Sequence, residues 1–263
     1  MNDDLLENHQ DGITTLTMNR PAARNAMSPE MMAGFAAALP RLAADRAVRA
    51  VVLTGAGTAF CAGGDVKRFA SQSGDGFNVE DRVHRLRSGM EMSRLLHEMP
   101  KPTLAVIPGP AAGAGFSLAL ACDLRIATNT AKLTTAFARI GLSGDYGGSY
   151  FLSHLVGAAK ARELFFTGEV ISGQQGFELG IVNRVTTADQ LETEAAAFAA
   201  QLAALPTVAV GYMKKNLNAA QHGSLSDVMD LEAVHMIRTF MTDDHKGAAK
   251  AFVEKRAPTF AGR

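Results

Sequence analysis

Residues 110–148 read PAAGAGFSLALACDLRIATNTAKLTTAFARIGLSGDYGG, and the rest of the chain is organised around them. The first half is a turn of small residues at 111–115, and the apolar segment behind it predicts a helix that ends near Cys122. A helix start directs several backbone N–H groups, and the positive end of the helix dipole, at one place. Because no side chain larger than a methyl group stands at 111–115, we expect this turn to accept an oxygen atom that gains negative charge.

The second half of this stretch ends at Asp145, a carboxylate in a glycine-rich turn between apolar segments. Backbone N–H donors and a carboxylate carried by one segment are the parts of a site that forms an enolate. Asp145 also has a structural interpretation, because Asp is favoured as a helix N-cap and a helix is predicted to begin near Gly147. The residues alone leave both interpretations open.

The composition limits the class of protein. The chain has 263 residues, 47% of them hydrophobic, which is enough to bury a substantial core in one domain. Lys plus Arg and Asp plus Glu both number 26, so neither nucleic acid nor an anionic membrane is an expected partner. The two cysteines, Cys61 and Cys122, lie in apolar surroundings without metal-ligand spacing. They predict reduced thiols, a cytoplasmic protein and no metal site.

Hydrophobic periodicity and breaker residues predict strands that alternate with helices up to about residue 186, followed by helices only. We therefore expect an α/β fold with a parallel sheet in a core of residues 1–186, and a helical region over 187–263 that packs against other subunits. The predicted strands and helices are a hairpin at 4–18, strands at 50–54, 103–107 and 181–185, helices at 80–99, 147–156 and 158–166, and helices opened by Ser28, Pro206, Ser224 and Thr242. A polar loop is predicted at 71–78, and residues 187–190 fit a capping box.

Five motifs stand in order along nearly the whole chain. They are Asn19-Arg20-Pro21 with Asn25-Ala26, GAGTAFCAGGD at 55–65, AAGAGFSLALACD at 111–123, GLSGDYGG at 141–148 and AFVEKRAPTF at 251–260. Together they closely resemble the crotonase superfamily of enoyl-CoA hydratases and isomerases, and most of all its ring-opening isomerases of phenylacetate degradation. The resemblance implies a spiral of ββα units with a helical C-terminal trimerisation region, assembled as a trimer or a dimer of trimers.

The resemblance also implies a substrate and a set of site residues. The substrate is an acyl-CoA thioester, so coenzyme A is part of the substrate and no separate cofactor is expected. The oxyanion hole is expected at the backbone N–H groups of Gly64 and Ala114. The residues expected to bind CoA are Arg24, Ala26, Ala62, Gly63, Asp65, Val66, Phe252 and Lys255. The last two would reach the CoA from the C-terminal helix of the same subunit or of a neighbouring one. Asp65 can instead fix its own loop through backbone hydrogen bonds.

This chain departs from the family pattern at two positions. Hydratases of the family carry two catalytic glutamates, and here Ser117 and Phe137 stand in their places. A phenyl ring cannot activate water, and a neutral hydroxyl is a poor general base near pH 7. We therefore expect no ordinary hydration, and an uncharged pocket lined by Ser117 and Phe137 that suits an aromatic or cyclic acyl group. In the alternative, structural interpretation Ser117 is a small packing residue, and Phe137 belongs to the pocket wall or to the core.

Asp145 matches the aspartate of dienoyl-CoA isomerases and of the ring-opening isomerases. Such a carboxylate moves a double bond by taking a proton from one carbon and returning it to another. Apolar neighbours should raise the pKa of Asp145, which suits a proton shuttle. The catalytic set expected from the sequence is therefore Asp145 with the amides of Gly64 and Ala114.

Three other functions remain open from the sequence. One is an enoyl-CoA hydratase with atypical residues, in which Ser117 and Asp145 place the water. Another is a hydrolase, either a thioesterase or an aryl-CoA dehalogenase with Asp145 as nucleophile. Dehalogenases of the family carry Trp where this chain has Phe137, which counts against a dehalogenase. The third is an acyl-CoA-binding scaffold without chemistry.

Overall fold

A computed structural model describes residues 3–64 and 78–263. Two of the expected CoA-binding residues, Asp65 and Val66, lie outside the described residues. The predicted loop at 71–78 also lies outside them, except for its last residue.

A six-stranded sheet in the order β1-β2-β3-β4-β6-β9 forms the centre of the described structure. β1 and β2 pair as the predicted antiparallel hairpin, and every later pair in this sheet is parallel. A smaller sheet has the order β5-β7-β8. The strands are β1 (Leu5–Gln10), β2 (Ile13–Met18), β3 (Ala50–Gly55), β4 (Thr103–Ile107), β5 (Ala111–Ala112), β6 (Leu124–Thr128), β7 (Lys132–Thr134), β8 (Ile171–Ser172) and β9 (Arg184–Thr186).

Helices connect the strands and then form the C-terminal region. They are α1 (Pro29–Ala44), α2 (Val79–Gly89), α3 (Glu91–Glu98), α4 (Ala114–Ala121), α5 (Gly148–Thr167), α6 (Gly173–Glu178), α7 (Leu191–Ala203), α8 (Thr207–Ala220), α9 (Leu225–Phe240) and α10 (Asp243–Val253), with short 3-10 turns at Pro21–Ala23 and Phe137–Ile140. Among the described residues, no single helix has both the length and the hydrophobicity of a membrane span. α7 and α8 reach that composition only as a pair bent by 96°.

Several helix ends agree with their sequence signals. Ser28 caps α1 by accepting a hydrogen bond from the Met31 amide at 3.0 Å, and Ser224 forms a capping box at the start of α9. The two short helices expected after residue 147 are confirmed, because Gly157 has non-helical angles (φ 75°, ψ 163°) in the middle of α5.

Other predictions of local structure are wrong in detail. The single helix expected over 80–99 is two helices, which meet at Met90. The strand expected over 181–185 is confined to Arg184–Thr186. The capping box at 187–190 is absent, because α7 begins after Gln190, whose side chain makes no capping hydrogen bond.

The core lies on both faces of the large sheet. Alternate residues of β3 point to opposite faces, so Val51 and Leu53 join the cluster that α1 and α4 cover. Val52 joins a second cluster on the other face, where Phe198 and Leu202 of α7 pack. Burial on both faces explains the continuous apolar sequence of the parallel strands.

The side chain of Lys214 joins the C-terminal helices to the core. From α8 its Nζ atom donates to the carbonyl of Leu96 at 2.8 Å and forms a 2.7 Å ion pair with Asp123. Asp123 in turn accepts hydrogen bonds from the backbone amide and the hydroxyl of Thr103 in β4. The aspartate that ends the AAGAGFSLALACD motif therefore connects β4 to α8.

Candidate active site

Two backbone loops form the centre of the candidate site. One follows β3 and the other follows β4, and they pair through a parallel bridge between Cys61 and Ala111. The Ala112 amide donates to the Cys61 carbonyl at 3.0 Å. A Cβ atom on Gly115 would lie 2.4 Å from the same carbonyl oxygen, so only glycine allows this contact.

Gly63 brings the first loop against the start of α4. It has φ +89°, and a Cβ atom there would lie 2.7 Å from the Ala112 carbonyl and 3.3 Å from the Ala114 amide nitrogen. Within residues 3–64 and 78–263, neither the Gly64 amide nor the Ala114 amide donates a hydrogen bond to another residue. The structure thus brings the two expected oxyanion-hole residues into adjacent loops, and their N–H groups have no acceptor among the described residues.

A buried asparagine holds the first loop in place. The Asn25 amide group donates to the carbonyls of Ala56 at 3.0 Å and Ala59 at 2.8 Å, and its oxygen accepts from the Arg20 amide at 2.9 Å. The sequence predicts Asn25 only as part of a motif, and this role is not predicted. The available signal is the residue type, because asparagine tolerates the left-handed conformation found here (φ 57°) better than most residues.

The segment around Asn25 also runs beside the loop at 61–64. The Ala62 amide donates to the Arg24 carbonyl, and the Met27 amide donates to the Gly63 carbonyl, both at 2.9 Å. Arg24, Ala26, Ala62 and Gly63, four of the residues expected to bind CoA, are therefore neighbours. Arg24 is exposed, whereas Ala26 and Gly63 are buried.

Asp145 lies in a strained turn and has an unsatisfied carboxylate oxygen. The flanking residues Gly144, Tyr146 and Gly147 all have positive φ. The Oδ1 atom of Asp145 is buried and has no hydrogen-bond partner in residues 3–64 and 78–263. The N-cap of α5 is Gly147, with no side-chain capping bond, so the interpretation of Asp145 as an N-cap is wrong. Burial raises the pKa of the Asp145 carboxyl to about 6, in the expected direction.

The ring of Phe137 lies near both the start of α4 and the turn that carries Asp145. A Cβ atom on Gly113 would lie 3.6 Å from this ring, and one on Gly144 would lie 3.7 Å from it. Gly113 precedes Ala114, and Gly144 precedes Asp145, so one phenyl ring touches both segments. The ring also stacks on Phe165 at a centroid distance of 6.0 Å. The surroundings of Asp145 are therefore apolar on this side.

Ser117 is a packing residue between two helices. Its hydroxyl donates to the Gly113 carbonyl at 3.2 Å, and a Cβ atom on Gly148 would lie only 2.3 Å from its Oγ atom. The packing interpretation accounts for this geometry, and a role in substrate binding stays a prediction. The expected C-terminal contacts also stay predictions: the Phe252 side chain is 86% exposed at the end of α10, and Lys255 is exposed just beyond it.

Metal or thiol chemistry has little support in the part of the chain that the structure describes. No group of three or more His, Cys, Asp or Glu side chains there is placed to hold a metal ion. Cys61 is fully buried beside the site, and burial raises the pKa of its thiol to about 12. At neutral pH this thiol carries no charge and is a poor nucleophile.

Comparison with known proteins gives the family. A model described as enoyl-CoA hydratase/isomerase matches residues 8–263. The chain belongs to the enoyl-CoA hydratase/isomerase family. It is 35% identical over 260 residues to the 1,2-epoxyphenylacetyl-CoA isomerase of Escherichia coli, covering 98% of each chain. It is 32% identical over 265 residues to a probable enoyl-CoA hydratase of Mycobacterium bovis, again covering 98% of each chain.

Solved structures of the family share the fold. The crystal structure of an enoyl-CoA hydratase from Polaromonas matches with a TM-score of 0.92 at 34% identity, covering 97% of this chain and 99% of that one. A putative enoyl-CoA hydratase from Streptomyces coelicolor matches with a TM-score of 0.94 at 33% identity, covering 100% of this chain and 96% of that one. The expected crotonase fold is confirmed. The protein is an enzyme of this family, in which both hydratase and isomerase names occur.

The raised pKa of Asp145 predicts how Asp145→Asn changes stability. Below about pH 4 the carboxyl is protonated and resembles the amide, whereas above about pH 6 the folded protein holds a desolvated charge. The stability of wild type relative to the variant is therefore lost as pH rises from about 4 to about 6, and the loss is complete above the folded-state pKa. We expect Asp145→Asn to be more stable by about 1–2 kcal/mol near pH 7.5, a figure reduced for partial exposure, and by almost nothing near pH 4.

Urea unfolding at both pH values and at one protein concentration measures this difference. Asp189→Asn is the control, because that side chain is exposed. We expect the control to differ between the two pH values by less than about 0.5 kcal/mol. An equal effect of Asp145→Asn at both pH values would show that the carboxyl is not desolvated.

Proposed function

We propose that the enzyme moves a carbon–carbon double bond within an acyl-CoA thioester, with Asp145 carrying the proton. The observation that supports this most is the buried Oδ1 atom of Asp145, which has no partner among the described residues and lies in a turn that shares the Phe137 ring with the start of α4. A buried carboxylate oxygen without a hydrogen bond is costly, so its presence in this turn favours a chemical role.

The amides of Gly64 and Ala114 hold the thioester oxygen in this proposal. Asp145 removes a proton from one carbon of the acyl group, and the electron pair of that C–H bond moves toward the thioester to give an enolate oxygen. The same carboxyl then returns the proton to the other end of the conjugated system, and the double bond forms in its new position. Protons move and no electrons are gained or lost, so the reaction needs no cofactor besides the CoA of the substrate.

The environment of each group suits this reaction. Two N–H donors favour the charged enolate over the neutral ground state, which is the difference that lowers a barrier. A carboxyl with a pKa of about 6 is mostly ionised at neutral pH and is still acidic enough, once protonated, to give the proton back. The stacked rings of Phe137 and Phe165 suit an aromatic or cyclic acyl group.

The two substituted positions argue against hydration. The Ser117 hydroxyl is already bonded to the Gly113 carbonyl, and Phe137 has no polar atom that could activate water. The similarity to the 1,2-epoxyphenylacetyl-CoA isomerase favours an isomerase. The hydratase names among other relatives keep an atypical hydratase as the second candidate. We place the enzyme in the cytoplasm, where the free thiols of Cys61 and Cys122 stay reduced.

Asp145→Asn tests the proton carrier, since it keeps the shape and removes the base. We expect kcat/KM for isomerisation of cis-3-hexenoyl-CoA, or of a cyclic analogue shown to be a substrate, to fall about 10²–10⁴-fold. In the wild-type enzyme kcat/KM should rise with pH and level off above about pH 6, as a carboxylate base requires.

Stopped-flow absorbance of the conjugated product measures the rate, and Asp189→Asn serves as control with wild-type activity. Crotonyl-CoA hydration is measured in parallel, and hydration faster than isomerisation would favour the second candidate. Wild-type isomerisation by Asp145→Asn would exclude Asp145 as the proton carrier.

Ala114→Pro tests the oxyanion hole, because proline removes one backbone N–H. Ala114 is the first residue of α4, where proline fits a helix well, so the fold should persist. We expect kcat to fall about 10²–10³-fold. Ala114→Gly is the matched control: it keeps the amide and should lose less than about fivefold. If the proline variant, shown folded by circular dichroism, keeps full activity, this amide does not hold the oxygen.

The C-terminal helices favour a homo-oligomer, a trimer or a dimer of trimers. They expose an apolar surface that includes Leu217, Met229, Ile237 and Phe240, each more than half exposed in the single chain. Sedimentation equilibrium should give three or six times the chain mass of 27.8 kDa. Ile237→Glu should lower that mass, whereas Leu6→Glu on the edge strand β1 should not. A monomeric wild-type protein would contradict the proposal.

A further inference from the structure

Helix α4, whose first residue is Ala114, is buried along its whole length and has an uncapped start. All eight of its residues are buried. Gly113 occupies the N-cap and has no side chain to make a capping hydrogen bond, and the first turn contains no acidic residue. The positive end of the helix dipole is therefore not neutralised by a side chain of α4 or of its N-cap.

The opposite end of α4 is covered by a buried cation. Arg125, the second residue of β6, is only 3% exposed, and its side chain reaches back to the end of the helix. The guanidinium donates to the carbonyls of Cys122 at 2.6 Å, Leu120 at 3.3 Å and Ala119 at 3.4 Å. The last carbonyls of a helix have no partner inside it, so Arg125 lies against the groups that carry the negative end of the dipole.

The charge of Arg125 has no carboxylate partner among the described residues. Its other donors also contact backbone carbonyls, at 2.6 Å to Ile181 and 3.4 Å to Asp123. The carboxylate of Asp123 is already held by a 2.7 Å ion pair with Lys214 and by hydrogen bonds from Thr103. Burial lowers the pKa of the Arg125 guanidinium, but arginine stays protonated in proteins. One uncompensated positive charge is therefore buried at this end of α4.

The difference between the two ends of α4 acts on an anion bound at its start. A helix of this length spans about 12 Å. An anion at the Ala114 amide is attracted by the near end of the dipole and repelled by the far end. Because the helix is buried, water does not screen this repulsion well. A positive charge at the far end cancels the repulsion and adds an attraction of its own.

We infer that Arg125 is a positioning residue of the oxyanion hole and acts through α4. Its charge neutralises the negative end of the helix, so the oxygen at the Ala114 amide meets the positive end alone. Its hydrogen bonds also fix the end of α4 to the segment before β9. The inference rests on the oxyanion hole of the proposed function, and it requires neither Asp145 nor a particular reaction of the enolate.

Substitutions of Arg125 separate its charge from its packing. Arg125→Gln removes the charge, whereas Arg125→Lys keeps it, because the surrounding carbonyls stabilise an ammonium group. We expect kcat of Arg125→Gln to fall about five- to tenfold, the effect of one charge about 12 Å from the enolate oxygen. KM should change less than about twofold, because the full negative charge forms only during the reaction. Arg125→Lys should keep kcat within about threefold of wild type.

A thioester that neither isomerises nor adds water tests the inference without turnover. The acyl group of 4-dimethylaminobenzoyl-CoA has no α-hydrogen and no alkene. Its amino group and thioester carbonyl are conjugated, so its absorption moves to longer wavelength when the carbonyl is polarised. We expect a red shift on binding to wild type and to Arg125→Lys, and a smaller red shift on binding to Arg125→Gln.

Arg162→Gln is the matched control, because it removes the same charge from an exposed position on α5. A charge in water is screened, so this variant should keep the wild-type kcat and red shift. Circular dichroism shows which variants are folded, and Arg125→Met, which fills a similar volume without charge, replaces Arg125→Gln if that variant does not fold. A folded uncharged variant with the wild-type kcat and red shift would overturn the inference. So would an Arg125→Lys variant as impaired as the uncharged one.

The result is separable from that of the proposed function. A red shift that depends on the charge at residue 125, combined with full isomerase activity of Asp145→Asn, would support the role of Arg125 and reject the proton carrier. An isomerase that needs Asp145 and the Ala114 amide, but whose kcat and red shift do not change in Arg125→Gln, would support the reaction and reject the role of Arg125.

Discussion

The close contact between two backbone loops is the constraint on which the site depends. β3 and β4 are adjacent parallel strands, so the loops that follow them emerge side by side at one edge of the sheet. Gly63 and Gly115 let these loops touch, because a Cβ atom at either position would enter the opposite backbone. The contact leaves the amides of Gly64 and Ala114 without partners among the described residues. The central sheet therefore positions these donors through backbone packing, and a side-chain substitution elsewhere does not remove them.

The site holds a second unfavourable feature, the partly buried carboxyl of Asp145. A carboxylate whose pKa burial raises to about 6 lowers stability at neutral pH, and the turn around it includes positive φ at Tyr146. The surrounding structure offsets this cost, since α5 packs on α4 immediately after the turn. Strain and desolvation that meet at one place in an otherwise regular core are typical of functional sites.

The sequence predicts structure that depends on neighbouring residues better than structure that depends on contacts between distant segments. The small residues at 111–115 predicted the start of α4, and Ser28 and Ser224 predicted helix caps, because each signal acts within one turn. The sequence left open whether Asp145 caps a helix, and only the position of Gly147 as the N-cap excludes that role. Residues 187–190 carry the same kind of signal, but the capping box that they predict is absent from the structure. The environment of Tyr146 depends on Met32 and Gly89, which lie far from it in sequence, so no local pattern reveals it.

Membership of the family fixes the fold and the thioester chemistry, whereas a few packed positions separate one reaction from another. The Ser117 hydroxyl lies at the contact of α4 with α5, where a Cβ atom on Gly148 would be only 2.3 Å from its Oγ atom. Phe137 stands at the second position, with its ring stacked on Phe165 of α5. Both positions are therefore used for packing against α5. Since neither side chain is an acid, Asp145 is the acidic group that the described site offers for the proton transfer we propose, which supports that proposal over the addition of water.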